Sequence, residues 1–242
     1  MSLRALIFDV DGTLADTEQA GHRVAFNDAF AEAGLPWVWD ADRYDELLQV
    51  TGGKERMRFY AGDFDPEFLE REDADAVLAG IHAAKTRRYV ALVTGGRVPL
   101  RPGVETIIRE AHAAGLPLAI ATTTSPENVT ALLATTMGDE VPDWFAVIGA
   151  GDVVAEKKPA PDIYEWVIER LGLDPGDCLA IEDSGPGLAA ARAAGVPTVV
   201  TPSAQASDDV FSGALARYTD LSGLCLDDLR TLHAGTAGTD QT

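Results

Sequence analysis

The sequence predicts an α/β fold: a doubly wound parallel sheet with a helical segment inserted after the first strand. Three observations predict it. Short, almost wholly apolar runs bounded by Gly, Pro or Asp recur along the chain, as strands buried on both faces of a parallel sheet do. Stretches of helical length, rich in Ala, Leu and Glu, separate them. One gap is too long for a single crossover, because the first run ends near residue 10 and the second begins near 117, where about 30 residues suffice.

Taken in order, the first strand is expected over 4–10 and turns into the acidic bend Asp9-Val10-Asp11-Gly12-Thr13. The segment 17–93 then reads as helices. Phe26, Ala29, Phe30 and Ala33 recur at helical spacing over 17–33, with Gly34 as a C-cap. Residues 73–93 form a second long candidate, with Val77, Ile81, Ala84 and Arg88 on one stripe. Strands follow at 117–122, 146–149, 178–181 and 197–201, with helices at 105–114, 127–136, 161–171 and 187–194. The expected architecture is therefore a Rossmann-like core of residues 1–16 and 94–234 with a helical cap of residues 17–93 and hinges near 15–17 and 94–101. Residues 235–242, rich in Gly, Thr and Asp, are expected to form a disordered tail.

Composition narrows the function. The chain has 242 residues, 46% of them hydrophobic and 24% charged, as in an ordinary globular protein. Its net charge of −20 repels polyphosphate backbones and anionic lipid, so nucleic acid and membrane are excluded as partners. If the substrate is anionic, its site must be locally basic against that field. No apolar run approaches the roughly 18 residues of a bilayer span. The N-terminus turns acidic too soon for a secretory leader, and two cysteines, Cys178 and Cys225, without CxxC spacing fit a reducing, cytoplasmic setting. No obligate protein partner is implied.

In an open α/β sheet, ligands bind beyond the carboxyl ends of the strands. Here those ends read Asp9-Val10-Asp11-Gly12-Thr13, Thr122-Thr123-Thr124-Ser125, Glu156-Lys157-Lys158-Pro159 and Glu182-Asp183-Ser184. Each acid alone is as well explained by a turn or a helix cap. The carboxylates, hydroxyls and lysine at all four strand ends together are not. Asp9, Asp11, Asp183 and Glu182 make an oxygen-rich set suited to Mg²⁺, and carboxylates so clustered demand a cation. Lys158 can hold a phosphate oxygen as a point charge, and Thr122, at a helix start, can hydrogen-bond the same group. One competing signal, Gly185-Pro186-Gly187-Leu188-Ala189-Ala190, mimics a dinucleotide fingerprint. It follows the fourth strand, with acids just upstream that would repel a pyrophosphate.

Together, Asp9-x-Asp11-Gly12-Thr13, Thr122, Lys158 in KKPAPDIY and Glu182-Asp183-Ser184 resemble the four motifs of the haloacid dehalogenase-like phosphohydrolases, in their order and spacing, over nearly the whole chain. The resemblance implies a four-helix cap after the first motif. It implies Asp9 as the nucleophile that forms a phosphoaspartate and Asp11 as the acid–base group. Mg²⁺ would lie on the Asp9 side chain, the Asp11 backbone carbonyl and the motif-four acids, with Thr122 and Lys158 on the phosphoryl group. The second acid also separates the chain from the metal-free dehalogenases that name the family.

Within the cap, Thr51-Gly52-Gly53-Lys54-Glu55-Arg56 reads either as a solvated helix start or as an anion clamp. Glu18, TGGKER, AAKTRR, ATTTS and GDVVAEKKPAPDIY resemble the CbbY branch of the family, similar in sequence to β-phosphoglucomutase. That branch acts on xylulose 1,5-bisphosphate, an inhibitor of Rubisco. By this resemblance Glu18, Gly52, Gly53, Lys54 and Arg56, with Thr123 and Thr124 beside Thr122, would contact a sugar bisphosphate. The alternative is a sugar phosphomutase built on the same core. One departure stands out. Relatives place a His four residues after the Thr matching Thr17, but here that position is Gly21 and His22 follows, as though one residue were inserted. Either His22 takes that role through the shifted register or the role is lost; a lone His is more often a surface residue, so His22 is not counted in the expected site.

Overall fold

The computed structural model describes residues 2–207 and 209–235. Six strands, β1 (Ala5–Phe8), β2 (Leu118–Ala121), β3 (Phe145–Gly149), β4 (Cys178–Glu182), β5 (Thr198–Val200) and β6 (Ala216–Arg217), form one sheet in the order β3-β2-β1-β4-β5-β6. Every neighbouring pair is parallel. β6 was not expected, because two residues carry no period that a sequence can display. The chain leaves β1 in one direction toward β3 and returns to build β4–β6 on the other side. The reversal falls at β1, where a ligand crevice opens in such sheets.

Between β1 and β2 lie α1 (Arg23–Glu32), α2 (Ala41–Leu47), α3 (Gly53–Phe64), the one-turn α4 (Pro66–Leu69) and α5 (Ala74–Thr94). The helix expected over 17–33 is divided. Its first turn, Glu18–His22, is a π-helical turn, and α1 starts only at Arg23. The stripe expected on α5 is also displaced. Ile81 and Ala84 are buried as expected, but Leu78, Lys85 and Tyr89 complete the buried face, whereas Val77 is half-buried and Arg88 is exposed and reaches Glu32 at 3.0 Å. The buried faces of these helices form an aromatic core of their own, in which Phe30, Trp37, Trp39 and Tyr60 interlock edge to face and Phe26 and Tyr44 pack against Trp39 at tilted angles.

The helices α6 (Val104–Ala113), α7 (Pro126–Met137), α8 (Asp162–Leu171), α9 (Gly185–Ala193) and α10 (Leu226–Gly235) cover both faces of the sheet. Strand side chains alternate between the two faces, as the pleat requires. Leu6, Phe8, Leu118, Ile120, Leu179 and Ile181 pack toward α6, α7 and α10. Ala5, Ile7, Ala119, Ala121 and Ala180 pack toward α8 and α9. The small residues on this second face let α8 and α9 approach closely. The tail expected from residue 235 falls outside the described residues, apart from Gly235, which ends α10.

Candidate active site

The sheet register brings the expected groups together. Phe8 pairs with Ile120 on one side and Ile181 on the other, so Asp9, Thr122 and Glu182-Asp183 emerge side by side. The Asp9 N–H donates to Ile181 O at 3.0 Å, and the Thr122 N–H to Gly149 O at 2.9 Å, which extends the ladder one residue past the strands. Lys158 arrives from the β3–α8 connection. Its ammonium lies 2.6 Å from Asp9 Oδ1 and 2.6 Å from Glu182 Oε1, and Tyr164 Oη donates to the same Glu182 oxygen at 2.5 Å. Burial would strip Lys158 of its charge, but Asp9 and Glu182 outweigh it and hold the proton well above the usual lysine range.

The acids lack the same compensation. Burial, with help from Glu182 and Asp11, pushes the Asp9 carboxyl up to about 7 in spite of Lys158. Burial and the charges of Asp9 and Glu182 raise Asp183 well above the carboxylate range. Asp9, Glu182 and Asp183 present oxygens within 4.8 Å of one another. A buried acidic group of that size, with a single ammonium shared between two of its members, fits a divalent cation. Glu182 lies beneath the cavity, and one of its oxygens is occupied by Lys158 and Tyr164, whereas Asp9 and Asp183 face the open space.

Asp11 is held differently. Its Oδ1 accepts from Thr17 Oγ1 at 2.6 Å and from His22 Nε2 at 2.7 Å. Burial would raise this carboxyl, but the His22 imidazole, the Thr17 hydroxyl and Lys85 together keep it well below its ordinary value. As a carboxylate, Asp11 accepts both bonds, with Thr17 Oγ1 and His22 Nε2 as the donors. The His22 ring stacks on Tyr89 at 4.2 Å and its Nδ1 has no hydrogen-bond partner among the described residues. Of the two readings open for His22, this geometry agrees with the shifted register. His22 is buried and touches the second acid of the first motif.

The cavity above these groups measures about 460 Å³. Asp9, Asp11, Thr122, Thr123, Thr124, Lys158 and Asp183 line it from the sheet; Glu18, His22, Gly52, Gly53, Arg56, His82 and Lys85 line it from the helical insert. Arg56 donates to Tyr44 Oη at 3.1 Å, and Tyr44 donates to Glu18 at 2.5 Å. Its Nε is fixed by the carbonyls of Leu47 and Val50. Lys85 is buried over the rings of Phe26 and Tyr89, and burial lowers its ammonium to about 8. His82 is held down to about 4, by burial first and then by Lys85 and Lys54.

Lys54 does not line this cavity. Its ammonium sits at the rim, 2.7 Å from Asp152 in the segment after β3, and Lys157 holds the other oxygen of Asp152 at 2.9 Å. Thr51 Oγ1 donates to the Lys158 carbonyl, a second link between insert and sheet. Lys85, His82 and Asp152 went unnoticed in the sequence. Lys85 lies in the quoted AAKTRR, but a lysine beside two arginines reads as a solvated face. The dinucleotide-like turn is closed off by a carboxylate, since the Gly185 N–H donates to Asp209 at 2.6 Å.

Residues 3–195 match the haloacid dehalogenase-like hydrolase family. A CbbY protein of Cupriavidus necator is 57% identical over 213 residues, 88% of this chain and 84% of the relative. CbbY of Rhodobacter capsulatus is 53% identical over 222 residues, 92% of this chain and 95% of the relative. Among solved structures, a CbbY variant from Rhodobacter sphaeroides in complex with xylulose 1,5-bisphosphate superposes with a TM-score of 0.85 at 44% identity, covering 94% of this chain and 99% of that one.

Proposed function

Since the chain belongs to the haloacid dehalogenase-like hydrolases, in their CbbY branch of sugar-phosphate phosphatases, we propose that it hydrolyses xylulose 1,5-bisphosphate through a phosphoaspartate on Asp9 with Mg²⁺ as cofactor. One observation carries this reading. A nucleophile-and-acid pair, two phosphate-binding groups and an acidic metal set line or underlie one cavity, whose opposite wall holds the cations Arg56 and Lys85. A ligand with two anionic ends matches that distribution. The same role is supported by the bisphosphate bound to the Rhodobacter sphaeroides relative.

In this scheme Thr122 and Lys158 grip the transferring phosphoryl group, and Arg56 and Lys85 take the distal phosphate. Lys54, being tied to Asp152, is assigned to the rim. Glu18, the Gly52-Gly53 pair, Thr123 and Thr124 are left to face the sugar. An Asp9 oxygen attacks phosphorus as the bond to the sugar oxygen breaks, and Asp11 gives its proton to that oxygen. Asp11 can do so because the negative charge of the bound phosphate raises its proton affinity, so that it takes up a proton from solvent as the substrate binds. It then takes a proton from water, which attacks the phosphoaspartate, releasing phosphate and restoring Asp9. Mg²⁺, which Asp9, Asp183 and the Asp11 carbonyl would hold, with Glu182 backing them from below, supplies positive charge between the two anions. Rubisco relief is the cellular role this substrate implies.

The test is phosphate release from xylulose 1,5-bisphosphate with Mg²⁺, with Asp9→Asn as the blank. Release is expected to exceed that from ribulose 1,5-bisphosphate and sugar monophosphates at least tenfold, and the variant should be folded and inactive. Turnover of β-glucose 1-phosphate with a bisphosphate primer, and no phosphate release, would identify a mutase instead. Substantial activity in Asp9→Asn would remove the phosphoaspartate.

A further inference from the structure

The contact between His22 and Asp11 depends on an unusual piece of backbone. Thr17 and His22 are five residues apart, yet both donate to the same oxygen, Asp11 Oδ1. In an α-helix five residues turn through about 500°, so the sixth side chain points about 140° away from the first. The chain avoids this with a π turn. The His22 N–H donates to Thr17 O at 2.8 Å, a bond spanning five residues, and the Arg23 N–H donates to Glu18 O in the same pattern. The wider turn returns residue 22 to the side of residue 17, and α1 then proceeds as an ordinary helix.

Gly21 lies inside that turn and is buried. Its backbone does not have a positive φ, so no conformational need for glycine exists here. Helix propensity would favour alanine. The reason is space. A Cβ on Gly21 would lie 2.9 Å from Cε2 of Tyr89, closer than packed carbon atoms come. Tyr89 is fully buried, and its ring is the one on which the His22 imidazole stacks with 18° between planes. A side chain at residue 21 must therefore move Tyr89, the surface that holds His22 against Asp11. Ala20, by contrast, is exposed.

We infer that Gly21 and the π turn around it are a positioning device: the turn takes up one surplus residue so that His22 stays aimed at Asp11. Gly21 acts through His22 and does not itself line the cavity. The inference rests on Asp11 being the acid–base group. It implies that the surplus residue can be removed but the glycine cannot be replaced. Without Ala20 the segment closes as a plain α turn with the histidine four residues after Thr17. The glycine then no longer faces Tyr89.

The test uses three full-length variants, with kcat and KM for phosphate release and the imidazole Nε2–H resonance of His22 by NMR. Gly21→Ala should lose at least tenfold in kcat, with KM changed less than threefold, and should lose the His22 signal. Deletion of Ala20 should keep kcat within about threefold and keep the signal. Gly21→Ala placed in the shortened chain should match that deletion, a rescue that a general packing role would not give. Full kcat in Gly21→Ala overturns the inference, and so does a folded deletion variant as impaired as Gly21→Ala. Should Gly21→Ala fail to fold, the shortened pair decides, since loss of kcat on adding the alanine there overturns it. A wild-type protein releasing no phosphate would defeat the phosphatase reading alone, and the His22 resonance would still decide the positioning.

Discussion

Lys85 shows what a single residue gives up for the site. It is buried, sits over two aromatic rings, and among the described residues has no carboxylate within ion-pair distance. Its ammonium falls to about 8, by burial first and then by Arg56, although Asp11 and Glu18 pull the other way. A lysine lowered from 10.5 binds its proton less tightly folded than unfolded. The penalty is therefore full below pH 8 and is relieved as pH rises from about 8 to 10.5, where stability should increase. Lys85→Met should stabilise the ligand-free protein at pH 7 by about 1–3 kcal/mol. The gain should shrink toward pH 10.5, and KM for the bisphosphate should rise at least tenfold. Denaturant titrations at pH 7 and 10, paired with kinetics, check this, and a destabilised Met variant would contradict it. Of the residues that the sequence singled out, Asp9, Asp11, Thr122 and Asp183 sit directly after apolar runs, where polar groups are out of place, and Lys158 stands in the segment that follows β3. Lys85 and His22 carry no such mark, because what places them at the cavity is packing by residues distant in the chain.

At the scale of elements, α9 and α5 each contain a glycine that helix propensity alone would replace. A helix interior prefers Ala to Gly by up to about 1 kcal/mol. Gly80 in α5 is exposed, with nothing within 4 Å of where a Cβ would stand, so Gly80→Ala should stabilise by about 0.5–1 kcal/mol. Gly187 in α9 is the opposite case. A Cβ there would fall on the Glu182 carboxylate, which holds Lys158 and Tyr164. Gly187→Ala should therefore destabilise by about 1–3 kcal/mol and lower kcat as Lys158 shifts from Asp9. Thermal unfolding of the two variants side by side tests the pair, and equal signs would refute it. The G-x-G-x-x-A pattern thus has a local cause, with Gly187 making room for a carboxylate. The same distinction explains which elements could be read in advance. Strands β1 to β5 are short apolar runs whose period needs no partner to be seen. The π turn, the displaced stripe of α5 and the two-residue β6 are set by packing between segments far apart in sequence.

For the whole molecule the governing quantity is charge. A net charge of −20 surrounds a cavity whose cations, Lys158, Lys85 and Arg56, are few and buried. An anionic substrate thus approaches against the long-range field and gains attraction only inside. Repulsion between exposed charges reaches about 30 Å at 0.01 M salt and about 10 Å at 0.1 M, whereas buried pairs are screened far less. Salt should therefore weaken the barrier to entry more than it weakens the grip. With the divalent ion saturating, kcat/KM for the bisphosphate should rise severalfold between about 10 and 150 mM NaCl while kcat stays level. An enzyme with a basic funnel would show the reverse. Should kcat/KM fall instead, the local cations control entry and the acidic surface is irrelevant to capture. Should kcat change as well, the exposed Lys54–Asp152 pair linking insert to sheet becomes the suspect, since both of its side chains are open to solvent and to screening. Replacing Asp152 by Asn would then remove the salt dependence of kcat and leave that of kcat/KM in place.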